Sequence, residues 1–125
     1  MAAGCVGRPD WGEEALAIAR FAARRATVES GVRDASFCHG AAGLAHVFNR
    51  LYQTTGDPEL GLAARAWVKR TLGFRVLGQG IAGYQSLHSE DPTREPQWVS
   101  MPGLLSGVSG IGLMLLAAAT DISLE

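Results

Sequence analysis

The fold is decided by two stretches of similar sequence. Residues 38–48 read CHGAAGLAHVF, and residues 105–115 read LSGVSGIGLML. Aligned without gaps, the two stretches share a pair of glycines: Gly40 and Gly43 in the first, Gly107 and Gly110 in the second. Glycine costs a helix interior about 1 kcal/mol relative to alanine, so paired glycines at the start of two apolar helices indicate that backbones crowd together there. We predict two buried helices whose N-termini lie close together.

A second repeat marks the helices that alternate with these two. Residues 7–20 (GRPDWGEEALAIAR) align with residues 56–69 (GDPELGLAARAWVK) at an offset of 49 residues, which is the length of two helices with their connections. Each copy starts with proline and an acidic residue, which favour a helix N-terminus, and is followed by basic residues, which favour a C-terminus. We predict amphipathic helices that start at Pro9 and at Pro58, the second one with Asp57 as its N-cap.

Apolar residues at helical spacing define one face of each of these predicted helices. They are Trp11, Ala15, Ile18 and Ala22 in the first helix, Leu44, Val47, Phe48, Leu51 and Tyr52 in the second, and Leu62, Ala66 and Trp67 in the third. A fourth helix is predicted from about Leu104 to Ala119, apolar nearly all round. Residues 74–102 are rich in Gly, Pro, Ser and Asp, show no sustained period, and are predicted as an ordered but irregular segment that contains a weaker Gly-x-x-Gly at Gly80 and Gly83.

These patterns predict an all-α fold with about four helices in this chain. No convincing alternating strand pattern is present. Because two helices are amphipathic and two are apolar on most sides, we expect an outer layer of helices around an inner ring of buried ones. That arrangement is part of an α/α toroid.

Composition excludes several classes of protein. The chain has 125 residues, of which 47% are hydrophobic, and its 11 Lys and Arg nearly balance its 12 Asp and Glu, which excludes disorder and removes the main support for nucleic-acid binding. The apolar run that opens on Pro102-Gly103 is short and is followed by acidic residues, so a buried helix is expected rather than a membrane span. Two cysteines and no signal peptide fit a cytoplasmic protein.

Cys38-His39-Gly40 is the motif with chemical content. Thiolate and imidazole are both good zinc ligands, and a thiolate at a helix N-terminus is stabilised by the backbone dipole. A buried thiol beside a hydrogen-bonded imidazole remains the alternative. We interpret His46 as a solvent-facing or packed residue of the second helix and His88 as an exposed loop residue. The tryptophans Trp11, Trp67 and Trp98 are interpreted as packing residues rather than a stacking platform.

In combination, the motifs resemble a known family. SFCHGAAGLAHVFNRLYQTTGDPEL (residues 36–60), GIAGY (80–84) and PGLLSGVSGIGLMLLAA (102–118) are similar to the C-terminal part of the lanthionine synthetase C-like (LanC) family, and the resemblance extends from about Cys5 to Ala119. It implies an α/α toroid with seven inner and seven outer helices and a central zinc ion held by two cysteines and one histidine. By motif, Cys38 and His39 match the adjacent Cys-His ligand pair.

The resemblance also implies an activity. In this family the zinc activates a cysteine thiol of a dehydrated precursor peptide, and the sulfur adds to dehydroalanine or dehydrobutyrine to form a lanthionine ring, as in lantibiotic biosynthesis. A histidine handles the enolate proton. Some members instead bind or add glutathione, so a dehydrated precursor peptide or another thiol is the expected partner.

The sequence departs from the family at the other zinc ligand. That cysteine belongs to a Trp-Cys-Tyr-Gly motif which is absent here, and the proton-handling histidine also lies upstream in the family. Cys5 is the candidate replacement, but the repeat aligns it with Thr54, at the end of an inner helix. We therefore expect residues 1–125 to form one incomplete C-terminal segment of a LanC-like domain, with two of three zinc ligands, unknown catalytic residues, and self-association through exposed apolar helices.

Two other functions stay open from the sequence. One is a non-catalytic LanC-like module that binds a peptide or glutathione without chemistry. The other is an unrelated α/α-toroid fragment of the kind that processes terpenoids or glycans. Acidic clusters at the starts of the apolar helices would favour the latter, and the sequence has none there.

Overall fold

The computed structural model describes residues 9–89, 91 and 93–120. In this part of the chain the helices are α1 (Pro9–Ala23), α2 (Ala41–Thr55), α3 (Pro58–Gly73) and α4 (Val108–Ala119), with a 3₁₀ turn at Thr27–Glu29. Strands β1 (Ser86–His88) and β2 (Gln97–Val99) form an antiparallel hairpin in which Leu87 lies opposite Trp98. The all-α prediction is confirmed, and the hairpin is a small addition inside the segment predicted as irregular. Three-residue strands are too short to show a period of two.

The four helices pack in two layers. Helix α2 packs against both α3 and α4, and α1 packs against α3. The fully buried alanines of α2 (Ala41, Ala42 and Ala45) allow close approach of the neighbouring backbones. The core also contains Phe48, Leu60, Trp67, Ile111 and Met114. This layering is the one expected for a sector of an α/α toroid.

The boundaries of the outer-type helices follow the predicted repeat. Helix α1 starts at Pro9 and α3 starts at Pro58, 49 residues later. Asp57 is the N-cap of α3, and its side chain accepts a hydrogen bond from the Glu59 N–H (2.9 Å). Just before it, Gly56 ends α2 in the left-handed conformation, with its N–H donating to the Tyr52 carbonyl (2.7 Å). The predicted cap and helix start are both confirmed.

The fourth helix starts later than predicted. It begins at Val108 rather than at Leu104, because residues 101–107 form a turn that leads into it. The weaker Gly-x-x-Gly lies in the segment predicted as irregular, where Gly80 and Gly83 have φ of +56° and +92° and form a tight turn. In the described residues no helix has both the length and the apolarity needed to cross a membrane.

The buried face of α1 is not the one that the spacing indicated. Trp11, Ala15, Ile18 and Ala22 are exposed, whereas Ala19 is buried and Leu16 and Ala23 are partly buried. Two ion pairs accompany this orientation: the Arg20 guanidinium lies 2.6 Å from Asp57, and that of Arg24 lies 2.7 Å from Glu59. Both arginines of α1 therefore lie against residues at the start of α3.

The tryptophans divide between the core and the surface. Trp67 is buried in the core, as its interpretation as a packing residue requires, whereas Trp11 and Trp98 are about half exposed. Other exposed apolar side chains include Ile18, Phe21 and Leu116. Self-association through such residues stays a prediction.

The Arg20–Asp57 pair predicts a pH dependence of stability. Arg20 Nε donates a hydrogen bond to Asp57 (2.7 Å), and this bond, aided by the Glu59 N–H, holds the pKa of Asp57 below its ordinary value of 3.8. A carboxyl with a lowered folded pKa contributes stability above its unfolded pKa, and the contribution is lost as pH falls through the folded pKa. We expect the urea midpoint to fall below about pH 4 and to fall less in Asp57→Asn. An equal fall of the urea midpoint with decreasing pH in the wild type and in Asp57→Asn would contradict this prediction.

Candidate metal centre

Cys38 and His39 lie on the turn that leads into α2. The turn is closed by the Ala41 N–H, which donates to the carbonyl of Asp34 (3.0 Å). Gly40 is the N-cap of the helix, and a β-carbon there would overlap the backbone of Ser36. Glycine is therefore required by close approach, and the turn presents the two side chains just before it at the N-terminus of α2.

The same turn precedes α4. The Val108 N–H donates to the carbonyl of Met101 (2.9 Å), with the same seven-residue spacing as in the first turn. The two turns lie side by side, because the Phe37 and Cys38 N–H groups both donate to the Leu105 carbonyl (3.0 and 2.9 Å). The prediction that the two glycine-paired helix starts crowd together is confirmed.

Within this pair of turns, the thiol and the imidazole face each other. Cys38 Sγ lies 2.8 Å from His39 Nδ1 and 3.7 Å from the hydroxyl oxygen of Ser106. Ser106 occupies in the second turn the position that His39 occupies in the first, so the repeat itself brings this hydroxyl to the thiol. Cys38 is exposed, and 55% of the His39 side chain is exposed. Both donor atoms are accessible to a ligand from solvent.

A buried carboxylate lies behind the imidazole. Asp34 is only 2% exposed, and its Oδ2 lies 3.5 Å from His39 Nε2. Its Oδ1 accepts hydrogen bonds from the Ser36 N–H (3.0 Å) and hydroxyl (2.8 Å), and its Oδ2 accepts one from the Leu87 N–H (2.9 Å). The sequence reasoning missed Asp34. The available signal was an aspartate two residues before a serine, a spacing at which Asp caps its own turn.

The other histidines and the second cysteine do not join the pair in the described residues. His46 is half-buried in α2, with its ring centroid 5.3 Å from that of Phe37, and burial, aided by the charge of Arg50, lowers its pKa. His88 is exposed as expected, but it belongs to β1 rather than to a loop. Cys5 lies outside the described residues. Across residues 9–89, 91 and 93–120, no group of three His, Cys, Asp or Glu residues is placed to hold a metal ion.

The chemistry of the Cys38–His39 pair fits zinc. A thiol sulfur and an imidazole nitrogen are the donors that zinc selects, and tetrahedral coordination places such atoms about 3.5 Å apart. The 2.8 Å between Sγ and Nδ1 is a hydrogen-bond separation. Both side chains are exposed, so they have the freedom to open to the coordination distance. The donor atoms of these two residues fit two of the ligands of a zinc site.

A shallow groove runs beside the imidazole. It has a volume of about 250 Å³, and it is lined by Gly31, Arg33, Asp34, His39, Leu87, Ser89 and Pro96. The turn before α2 forms one wall, and Leu87 of β1 forms another with Ser89 and Pro96, which flank the two strands. Its lining is part polar and part apolar.

Comparison with known proteins gives the family of this chain. The family model for lanthionine synthetase C-like proteins matches residues 12–124. The chain belongs to the lanthionine synthetase C-like family. No match was found among curated proteins or among solved structures.

Proposed function

We propose that this chain carries the Cys-His part of a thiol-activating zinc site in a LanC-like thioether-forming cyclase. The observation that carries the proposal is the approach of Cys38 Sγ to His39 Nδ1, at 2.8 Å, on an exposed turn. Membership of the family adds support, since the match covers residues 12–124. The remaining ligand comes from outside the described residues.

The chemistry of the site follows from its donors. Bound zinc would supply Lewis acidity that keeps a substrate thiol deprotonated near neutral pH. Cys38 and His39 would hold it at the N-terminus of α2, and the Ser106 hydroxyl, 3.7 Å from Sγ, can donate a hydrogen bond that limits the charge on the sulfur. The exposed side of the pair leaves room for the substrate.

The proposed substrate is a precursor peptide that contains cysteine and dehydroalanine or dehydrobutyrine. The cysteine sulfur forms a bond to the β-carbon, the double bond is lost, and a proton is delivered to the α-carbon, so that a lanthionine or methyllanthionine thioether results. The groove beside His39 would hold the peptide on one side of this centre.

Zinc binding by the full chain tests the proposal. We expect zinc to bind the wild-type protein, and we expect Cys38→Ala and His39→Ala each to weaken binding more than 100-fold, roughly, because loss of a ligand costs more than the 10–100-fold of a supporting residue. Competition with a chromophoric chelator measures the affinity. Cys5→Ala and His88→Ala are the matched controls and should retain zinc, since the repeat places Cys5 elsewhere and His88 is exposed on β1.

Two outcomes would change the proposal. Loss of zinc in Cys5→Ala would make Cys5 the third ligand. Absence of zinc from the wild-type chain would overturn the proposed site and leave a non-catalytic peptide- or glutathione-binding module.

A further inference from the structure

Asp34 is a buried carboxylate at the base of the Cys38–His39 turn. It is only 2% exposed. Gly40 packs so closely against it that a β-carbon at that position would lie 2.5 Å from Asp34 Oδ1. Burying a carboxylate is costly unless hydrogen bonds compensate, and here the Ser36 and Leu87 N–H groups both donate to it. Asp34 therefore ties the turn before α2 to strand β1 in a fixed position.

The imidazole of His39 lies between this carboxylate and the thiol. Its Nε2 faces Asp34 Oδ2 at 3.5 Å, and its Nδ1 faces Cys38 Sγ at 2.8 Å. A carboxylate accepts hydrogen bonds and donates none, so it favours the ring form that carries its proton on Nε2. The lone pair of Nδ1 then faces the sulfur, and in this ring form it can accept a hydrogen bond from the thiol.

We propose that Asp34 is a positioning residue that holds His39 in the Nε2–H form and directs its Nδ1 lone pair toward the same ligand as the Cys38 sulfur. The use of that lone pair rests on the proposed zinc site. The orientation of the ring and the position of its proton do not rest on it, because they follow from the contacts of the ring with Asp34 and Cys38. A carboxylate behind a ligating imidazole raises ligand basicity and fixes the ring.

The first test is the protonation of His39 in the metal-free wild-type chain. Two-bond ¹⁵N correlation spectra, recorded at a pH where the ring is neutral, should show a single Nε2–H form for His39. The exposed His88 serves as the reference, and it should show a mixture of both forms. A mixture at His39 as well, or an Nδ1–H ring, would overturn the role of Asp34.

The second test compares Asp34→Asn with Ser36→Ala. Asparagine keeps the size of the side chain, but its amide nitrogen cannot accept a hydrogen bond. We therefore expect a mixture of the two ring forms at His39 and a 10–100-fold loss of zinc affinity. Ser36→Ala removes one hydrogen bond to the same carboxylate and leaves the His39 side intact. We expect it to weaken the turn without changing the ring form, and to bind zinc within about 3-fold of wild type.

The outcomes separate the two proposals. If wild type binds no zinc, the zinc site fails and the ring form of His39 alone decides the role of Asp34. If zinc binds and Asp34→Asn matches wild type in affinity and ring form, the zinc site stands and the positioning role is overturned. An equal loss in Ser36→Ala would also overturn it, because a general weakening of the turn would then explain the effect. If Asp34→Asn does not fold, as circular dichroism would show, the wild-type spectrum remains decisive.

Discussion

Gly110→Ala should destabilise the protein by about 3 kcal/mol. Gly110 lies in the first turn of α4, where a β-carbon would overlap the carbonyl oxygen of Leu104 and come within 2.7 Å of the β-carbon of Phe37. Neither atom can move without a large cost in free energy, because one belongs to the backbone and the other is bonded directly to it. The methyl group would push α4 away from the turn that carries Cys38.

Gly112→Ala is the matched control in the same helix. Nothing lies within 4 Å of a β-carbon at Gly112, so alanine should stabilise the protein by about 1 kcal/mol through helix propensity alone. Chemical denaturation of the two variants measures the difference, which we expect to be about 4 kcal/mol. Equal changes in the free energy of unfolding would mean that contacts do not exclude a side chain at Gly110, and our interpretation of the paired glycines would be wrong.

The sequence predicted the features that repeat. Glycine spacing indicated that two helix starts crowd together, and the structure joins them through the Leu105 carbonyl. Pro9 and Pro58 marked two helix starts correctly, because proline and acidic residues act through local backbone geometry. Such signals need no knowledge of the neighbours in space.

Features that depend on tertiary contacts were not predictable in the same way. The spacing of Trp11 and Ile18 indicated a buried face, but α1 buries Ala19 instead, and its Arg20 pairs with Asp57, 37 residues away. Apolar periodicity defines a stripe, and small residues such as alanine contribute little to it although they are the ones buried where helices approach closely.

In the candidate site, too, the sequence indicated the residues with a local signal and not the residue whose role depends on tertiary contacts. Cys38 and His39 were found by their chemistry and their adjacency. Asp34 was not found, because its role depends on the Leu87 N–H, 53 residues away, and on a strand of only three residues. The spacing of Asp34 and Ser36 indicates a capped turn, but it gives no sign of the contact with Leu87.

Leu60→Ala should also destabilise the protein by about 3 kcal/mol. Leu60 lies in the first turn of α3 with none of its surface exposed, in the core that also contains Phe48 and Trp67. Truncation to alanine removes buried methyl groups and leaves a cavity that the surrounding helices close only in part, so the lost transfer free energy and the cavity both contribute.

Leu62→Ala is the control two residues along the same helix. The spacing of the sequence placed Leu62 on the apolar face of α3, whereas in the structure its exposed fraction is 63%. We expect a change within about 0.5 kcal/mol, because little apolar surface is uncovered and alanine is the better helix former. Urea denaturation of both variants decides between the two faces. A large loss in Leu62→Ala with a small one in Leu60→Ala would mean that α3 is rotated about its axis relative to the described packing. A large loss in both would mean that a partner, such as a second copy of the chain, covers the face that carries Leu62.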